Sequence, residues 1–185
     1  MPSAFAPVPG LPGLVVVTPR IFRDERGWFL ESWKASECAP HGIGPFVQDN
    51  HSGNLAAGIV RGLHYQLPPQ AQGKLVRCVR GRVWDVAVDL RPGATRLRHF
   101  ALELSAADQA MLWIPPGFAH GYATLEAGSE VLYKTTAEYA PALDRGLRWD
   151  DPDLAIPWPV RSPMLAPKDA QAPRVRDVQL PERWA

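Results

Sequence analysis

The 185-residue chain predicts an all-β fold, a sandwich or barrel of short strands with a few short helices. Three observations carry this. Twenty prolines and 15 glycines leave little uninterrupted room for long helices. A hydrophobic share of 46% is enough for a sizeable core, which excludes wholesale disorder. Apolar and alternating runs recur about every 8–12 residues between turn signals, the spacing of sandwich and barrel strands.

The elements follow in order. Residues 14–18 (LVVVT) are a β-branched run between turn residues. Residues 28–33 (WFLESW) alternate, which puts Trp28, Leu30 and Ser32 on one face. Residues 33–38 have room for one helical turn. Residues 74–79 and 82–90 flank Gly81 and read as strand, turn, strand. Residues 98–104 alternate weakly. Residues 105–109 suggest a second helical turn with Ser105 as N-cap. Residues 111–114 and 122–125 bracket Pro115-Pro116-Gly117, a strong turn signal, and residues 131–136 are a last strand. One domain spanning 1–185 is expected. It carries a proline-rich N-terminal extension over 1–13 and a loop-rich tail from about residue 141 to 185 that wraps the core and contributes to the site.

Composition also bounds function. Twenty Lys+Arg against 19 Asp+Glu give a net charge of +1, without the basic excess of a nucleic-acid binder. No apolar run approaches the ~20 residues of a membrane span, and residues 1–10 lack the features of a secretory signal. The two cysteines, Cys38 and Cys78, argue against a disulfide framework. They read as buried thiols in a reducing, cytoplasmic location.

Five histidines occur, and His64 and His120 have glycine close by, in Arg61-Gly62-Leu63-His64 and His120-Gly121. Glycine there lets another group approach closely. A metal site is disfavoured. Two positions after His64 stands Gln66, two after His120 stands Tyr122, and no close His pair is present. Neither a Gly-x-Ser-x-Gly elbow nor a glycine-rich phosphate loop is found. A histidine base with Tyr, Lys and Arg nearby suits proton abstraction beside a carbonyl.

Seven blocks then point further: residues 22–32 (FRDERGWFLES), 48–52 (QDNHS), 61–66 (RGLHYQ), 72–77 (QGKLVR), 84–89 (WDVAVD), 113–121 (WIPPGFAHG) and 132–134 (LYK). In this order, from about Val15 to about Pro173, the chain closely resembles dTDP-4-dehydrorhamnose 3,5-epimerases. The resemblance implies a cupin-like jelly roll, a homodimer and no cofactor. It implies a dTDP-4-keto-6-deoxy sugar substrate, dTDP-4-dehydro-6-deoxy-D-glucose, inverted at C3 and C5. It implies His64 as general base, Asp169 as the carboxylate holding that base, Tyr133 as general acid on the opposite face, and Lys74 against the C4 oxygen. His120 would line the sugar pocket and Arg61 would meet the diphosphate. Gln48, Asp49 and Asn50 would form a nucleotide-contacting strand, with Asp144 and Lys168 as further substrate contacts. Arg26 and Glu31 would reach toward the partner subunit's site.

The chain departs from the family pattern in places. Glu138-Tyr139 stands where two adjacent tyrosines are common, Asp144 stands where Glu is expected, and residues 67–71 (LPPQA) replace a more polar loop. A related epimerase that inverts only one carbon therefore stays open. So do a metal-dependent cupin enzyme and a non-catalytic sugar-nucleotide binding module. Asp85 borders the pocket or serves a structural hydrogen bond. Lys134, next to Tyr133, should point to the other sheet face, and the seven tryptophans are expected mostly in core and interface.

Overall fold

A computed structural model describes residues 3–184. Among them the strands are β1 (Ala4–Pro7), β2 (Val15–Thr18), β3 (Ile21–Asp24), β4 (Gly27–Leu30), β5 (Gln48–Gly53), β6 (Val60–Gln66), β7 (Lys74–Arg80), β8 (Arg82–Asp89), β9 (His99–Ser105), β10 (Met111–Ile114), β11 (Phe118–Thr124), β12 (Glu130–Thr135) and β13 (Asp144–Gly146). The α-helices are single turns, α1 (Ala35–Cys38) and α2 (Pro167–Ala170). No helix among these residues is long and apolar enough to cross a membrane.

Two antiparallel sheets form a cupin-like jelly roll. One has the order β1-β2-β10-β7-β12-β5, the other β13-β6-β11-β8-β9, and β3–β4 stands apart as a hairpin. Their inner faces share one core. Val76, Cys78, Leu112 and Val131 from the first sheet pack with Val83, Ala87, Phe118 and Tyr122 from the second. The tail covers the outer face of the five-stranded sheet, where Leu147, Leu154, Val175 and Trp184 pack on Leu63, Val86 and Val88. β11 is therefore buried along its whole length. The outer face of the six-stranded sheet is covered in part by Cys38 and Ile43. Both cysteines are free and buried, and burial pushes the Cys78 thiol up to about 11, which makes it a poor nucleophile.

Several expectations need correction. The N-terminal extension is in part a strand: β1 pairs with β2 from Ala4↔Thr18 to Pro7↔Val15. Proline is tolerated there because β1 is an edge strand. Residues 105–109 make a turn. Ser105 Oγ does accept the Asp108 N–H at 3.1 Å, but Gln109 adopts φ +59° and β10 starts two residues later. The strand expected over 28–33 ends at Leu30, and its alternation buries neither face. Trp28 and Phe29 are 52% and 64% exposed on the hairpin. Around Gly81 the strand-turn-strand reading holds, yet β7 and β8 belong to different sheets. Gly81, at φ +69°, carries the chain across the core edge, where a Cβ would lie 2.5 Å from Ser129 Oγ.

Candidate active site

The site is built where β6 and β11 lie side by side, with His64 opposite His120. The glycines beside these histidines make that approach possible. A Cβ on Gly62 would fall 2.5 Å from Gly121 Cα, and one on Gly121 would fall 2.8 Å from the Arg61 carbonyl. Gly62 also has φ +122°, a conformation open to glycine. The two imidazoles thus share one sheet face, against a cavity of about 250 Å³ between the sheets.

Each imidazole is held by a carboxylate. His64 Nε2 donates to Asp169 Oδ1 at 2.6 Å, and the Gly62 N–H reaches Asp169 Oδ2 at 3.4 Å. Asp169 sits on α2, which packs against β6. Burial opposes charge on Asp169, but the His64 bond and charge, the Gly62 N–H and Lys168 together hold the carboxyl below its ordinary range. A carboxylate can only accept, so Nε2 carries the hydrogen and Nδ1 is the basic nitrogen left for a ligand. His120 Nε2 donates in the same way to Asp85 Oδ1 at 2.8 Å, with Asp85 on neighbouring β8.

The opposite wall comes from the six-stranded sheet. Tyr133 on β12 and Lys74 on β7 line the same cavity. Lys74 is 7% exposed and donates from Nζ to the His64 carbonyl at 3.3 Å. Burial pulls its pKa down to about 8, against the raising effect of Asp144 and Asp85. Tyr133 is pushed above its ordinary value, by burial first, then by Tyr122, with Arg61 acting the other way. The phenol therefore stays protonated at neutral pH. A base on one sheet, a phenol on the other and a buried ammonium are what proton transfer beside a carbonyl needs.

Two further cationic groups, Arg61 and Lys168, line the cavity. Arg61 Nε donates to Asn54 Oδ1 at 2.8 Å, and its Nη2 donates to the Gly53 carbonyl at 3.2 Å. Lys168 bonds to Asp144 Oδ2, which also accepts from the Tyr139 hydroxyl at 3.2 Å. Burial works against the Lys168 charge, but Asp144 keeps its pKa raised. Gln48 Oε1 accepts the Tyr139 N–H at 2.8 Å, so β5 and the 139–144 segment are tied together.

His64, Lys74, Tyr133, Asp169, Arg61, His120 and Lys168 are thus brought together around one space, with Asp144 attached through Lys168. The triplet Gln48, Asp49 and Asn50 is split by strand alternation. Gln48 and Asn50 bond to each other at 2.8 Å, while Asp49 takes the Lys134 ammonium at 2.8 Å on the outer face. A second cavity of about 260 Å³ on that outer face holds Asp49, Lys134, Leu75 and Leu132, without a histidine. Arg26 and Glu31 lie outside the main cavity. Arg26 pairs with Asp24 on the hairpin and Glu31 lies 3.6 Å from Lys34. Sequence reading missed Tyr122 and Ser52, which line the cavity and bond at 2.8 Å. Period-two spacing from His120 to Tyr122, and from Asn50 to Ser52, was the signal available. Among the described residues no three His, Cys, Asp or Glu side chains are grouped as metal ligands.

Known proteins of similar sequence and structure establish the family. A family model described as dTDP-4-dehydrorhamnose 3,5-epimerase matches residues 9–177. The dTDP-4-dehydrorhamnose 3,5-epimerase of Shigella flexneri is 45% identical over 170 residues, covering 90% of this chain and 93% of the relative. That of Pseudomonas aeruginosa is 46% identical over 172 residues, with the same coverage. Among solved structures, the dTDP-6-deoxy-D-glucose-3,5-epimerase of Legionella pneumophila, in complex with dTDP-4-keto-L-rhamnose, superposes with a TM-score of 0.92. It is 39% identical, covering 99% of this chain and 100% of that one. A 3'-monoepimerase from Streptomyces bikiniensis, in complex with dTDP-quinovose, has a TM-score of 0.85 at 30% identity over 92% of this chain and 87% of its own. The chain is a sugar-nucleotide epimerase and belongs to the dTDP-4-dehydrorhamnose 3,5-epimerase family.

Proposed function

We propose that the enzyme converts dTDP-4-dehydro-6-deoxy-D-glucose to dTDP-4-dehydro-L-rhamnose by inverting C3 and C5. The observation that carries this is the placement of His64 and Tyr133 on opposite sheets of one cavity. The C4 ketone acidifies the hydrogens on both neighbouring carbons. His64 takes one as a proton, and the C–H electron pair moves into the ketone to make an enolate. The Lys74 ammonium stabilises the oxygen anion. Tyr133 then gives its phenolic proton to the same carbon from the other side, which inverts it. Both groups return to their starting states by exchange with water before the second carbon is treated. Arg61 and Lys168 hold the diphosphate. The two unpaired cysteines fit a cytoplasmic enzyme.

In this reading the enzyme is a homodimer. The exposed Phe22, Trp28 and Phe29 of the hairpin are covered by the partner, and Arg26 and Glu31 enter the partner's site. Sedimentation should give the mass of two chains, and a single-chain mass at micromolar concentration would sink this part.

The chemistry is tested in deuterated water. The native enzyme should place deuterium at both C3 and C5 of the inverted sugar. Tyr133→Phe should still exchange hydrogen, because His64 can return a deuteron to the face it came from, but inversion should stop. Inversion at the native rate in Tyr133→Phe would overturn the two-sided mechanism. Label at one carbon only would make the enzyme a mono-epimerase.

A further inference from the structure

Asp85 has no place in the mechanism above, yet it is buried at 0% exposure behind His120, which lines the cavity. Its Oδ1 takes the His120 Nε2–H at 2.8 Å, while its Oδ2 is buried with no hydrogen-bond partner. A buried carboxylate oxygen left unbonded is costly, and such groups persist where their charge is used. The other charged or titratable groups around Lys74 come from every neighbouring element. His64 is on β6, His120 on β11, Tyr133 on β12, Asp144 on β13 and Lys168 on α2. Of the two carboxylates that favour its charge, Asp144 is already paired with Lys168 and Tyr139. Asp85 has no such cation bonded to it, only the His120 ring.

We propose that Asp85 is a positioning residue with two separable duties: Oδ1 orients the His120 ring in the sugar pocket, and the carboxylate charge keeps the neighbouring Lys74 an ammonium. This rests on the assignment of Lys74 to the enolate. The side chain is placed for both duties, since His120 lies beside it across the β8–β11 ladder and Lys74 faces the same interior from the opposite sheet. A carboxylate facing a buried ammonium across the same interior favours its charged form.

The experiment is the pH profile of kcat/KM for deuterium wash-in on three proteins: native, Asp85→Asn and His120→Asn. Asp85→Asn preserves size and a hydrogen bond to the ring but removes the charge. The alkaline limb, where Lys74 loses its proton, should move about one unit toward lower pH, so the loss is larger at pH 8 than at pH 6.5. His120→Asn keeps the charge. It should lower activity by a similar factor at every pH and leave the limb in place. Should Asp85→Asn fail to fold, Asp85→Ser carries the same expectation. A limb unmoved in the charge-removing variant, or moved equally in His120→Asn, overturns the proposal. A native profile with no limb near pH 8 overturns the role of Lys74 itself, and this proposal with it.

Discussion

His64→Asn should abolish deuterium exchange at both carbons, a loss of ~10⁴-fold or more for an enzyme deprived of its base. The protein should stay folded, because the side chain is 32% exposed at the cavity and its removal opens no sealed core space. Asp169 gives the sharper test. Asp169→Asn puts an amide N–H where a carboxylate oxygen stood. That amide can donate to His64 Nε2, which drives the hydrogen to Nδ1 and removes the base from the substrate side. A loss of ~10⁴-fold is expected from this wrong tautomer. Asp169→Ala leaves the imidazole free to choose, so it should lose less, about 10²-fold. If Ala were the worse substitution, Asp169 would be acting through packing or through its Gly62 contact rather than through the tautomer. Equal exchange rates in native and His64→Asn enzyme would remove His64 from the chemistry altogether. Asp169 is held below its ordinary carboxyl range, so it remains an ionised acceptor for the His64 N–H at neutral pH.

Strands β2, β7, β8, β9, β10 and β12 were legible as apolar or alternating runs, because each packs at least part of one face against the core, whereas β1, β6 and β13 were not read as strands. Which sheet a strand joins was not legible. β7 and β8 are neighbours in sequence and read as a hairpin, but Gly81 turns the chain from one sheet to the other. The exposed β3–β4 hairpin shows the opposite failure: its alternation is real, yet neither face is buried within one chain. At the site, glycine next to histidine pointed correctly to close backbone approach, here of β6 and β11. The partner of His64 was beyond local reading, because Asp169 is 105 residues away and arrives through the tail. Only family resemblance paired them. The His120–Asp85 bond has the same character. Asp85 was visible as a strand residue, but β11 begins at Phe118, ahead of the strand expected over 122–125, and the contact depends on β11 lying next to β8.

Lys74→Met should separate function from stability in opposite directions. In the proposed mechanism the ammonium steadies the enolate, so its loss should lower exchange by ~10²–10³-fold. Stability should rise. An unfolded chain leaves this lysine near its ordinary 10.5, whereas burial lowers it to about 8 in the folded protein. Between those values the unfolded state holds a proton that the folded state has given up. Stability from this group therefore increases with pH across the window from about 8 to 10.5, and the burial penalty is present in full below it. At pH 7 that penalty is roughly 3 kcal/mol, a large share of a typical folding free energy. Methionine has similar length, no charge and the flexibility to fill the same space. The variant should melt several degrees higher than the native protein at pH 7, and the gap should close as pH approaches 10. A variant that melts lower at pH 7 would mean that Asp85, left without a cation facing it, costs more than the buried ammonium did. A variant as active as the native enzyme would mean that the enolate is stabilised by another group.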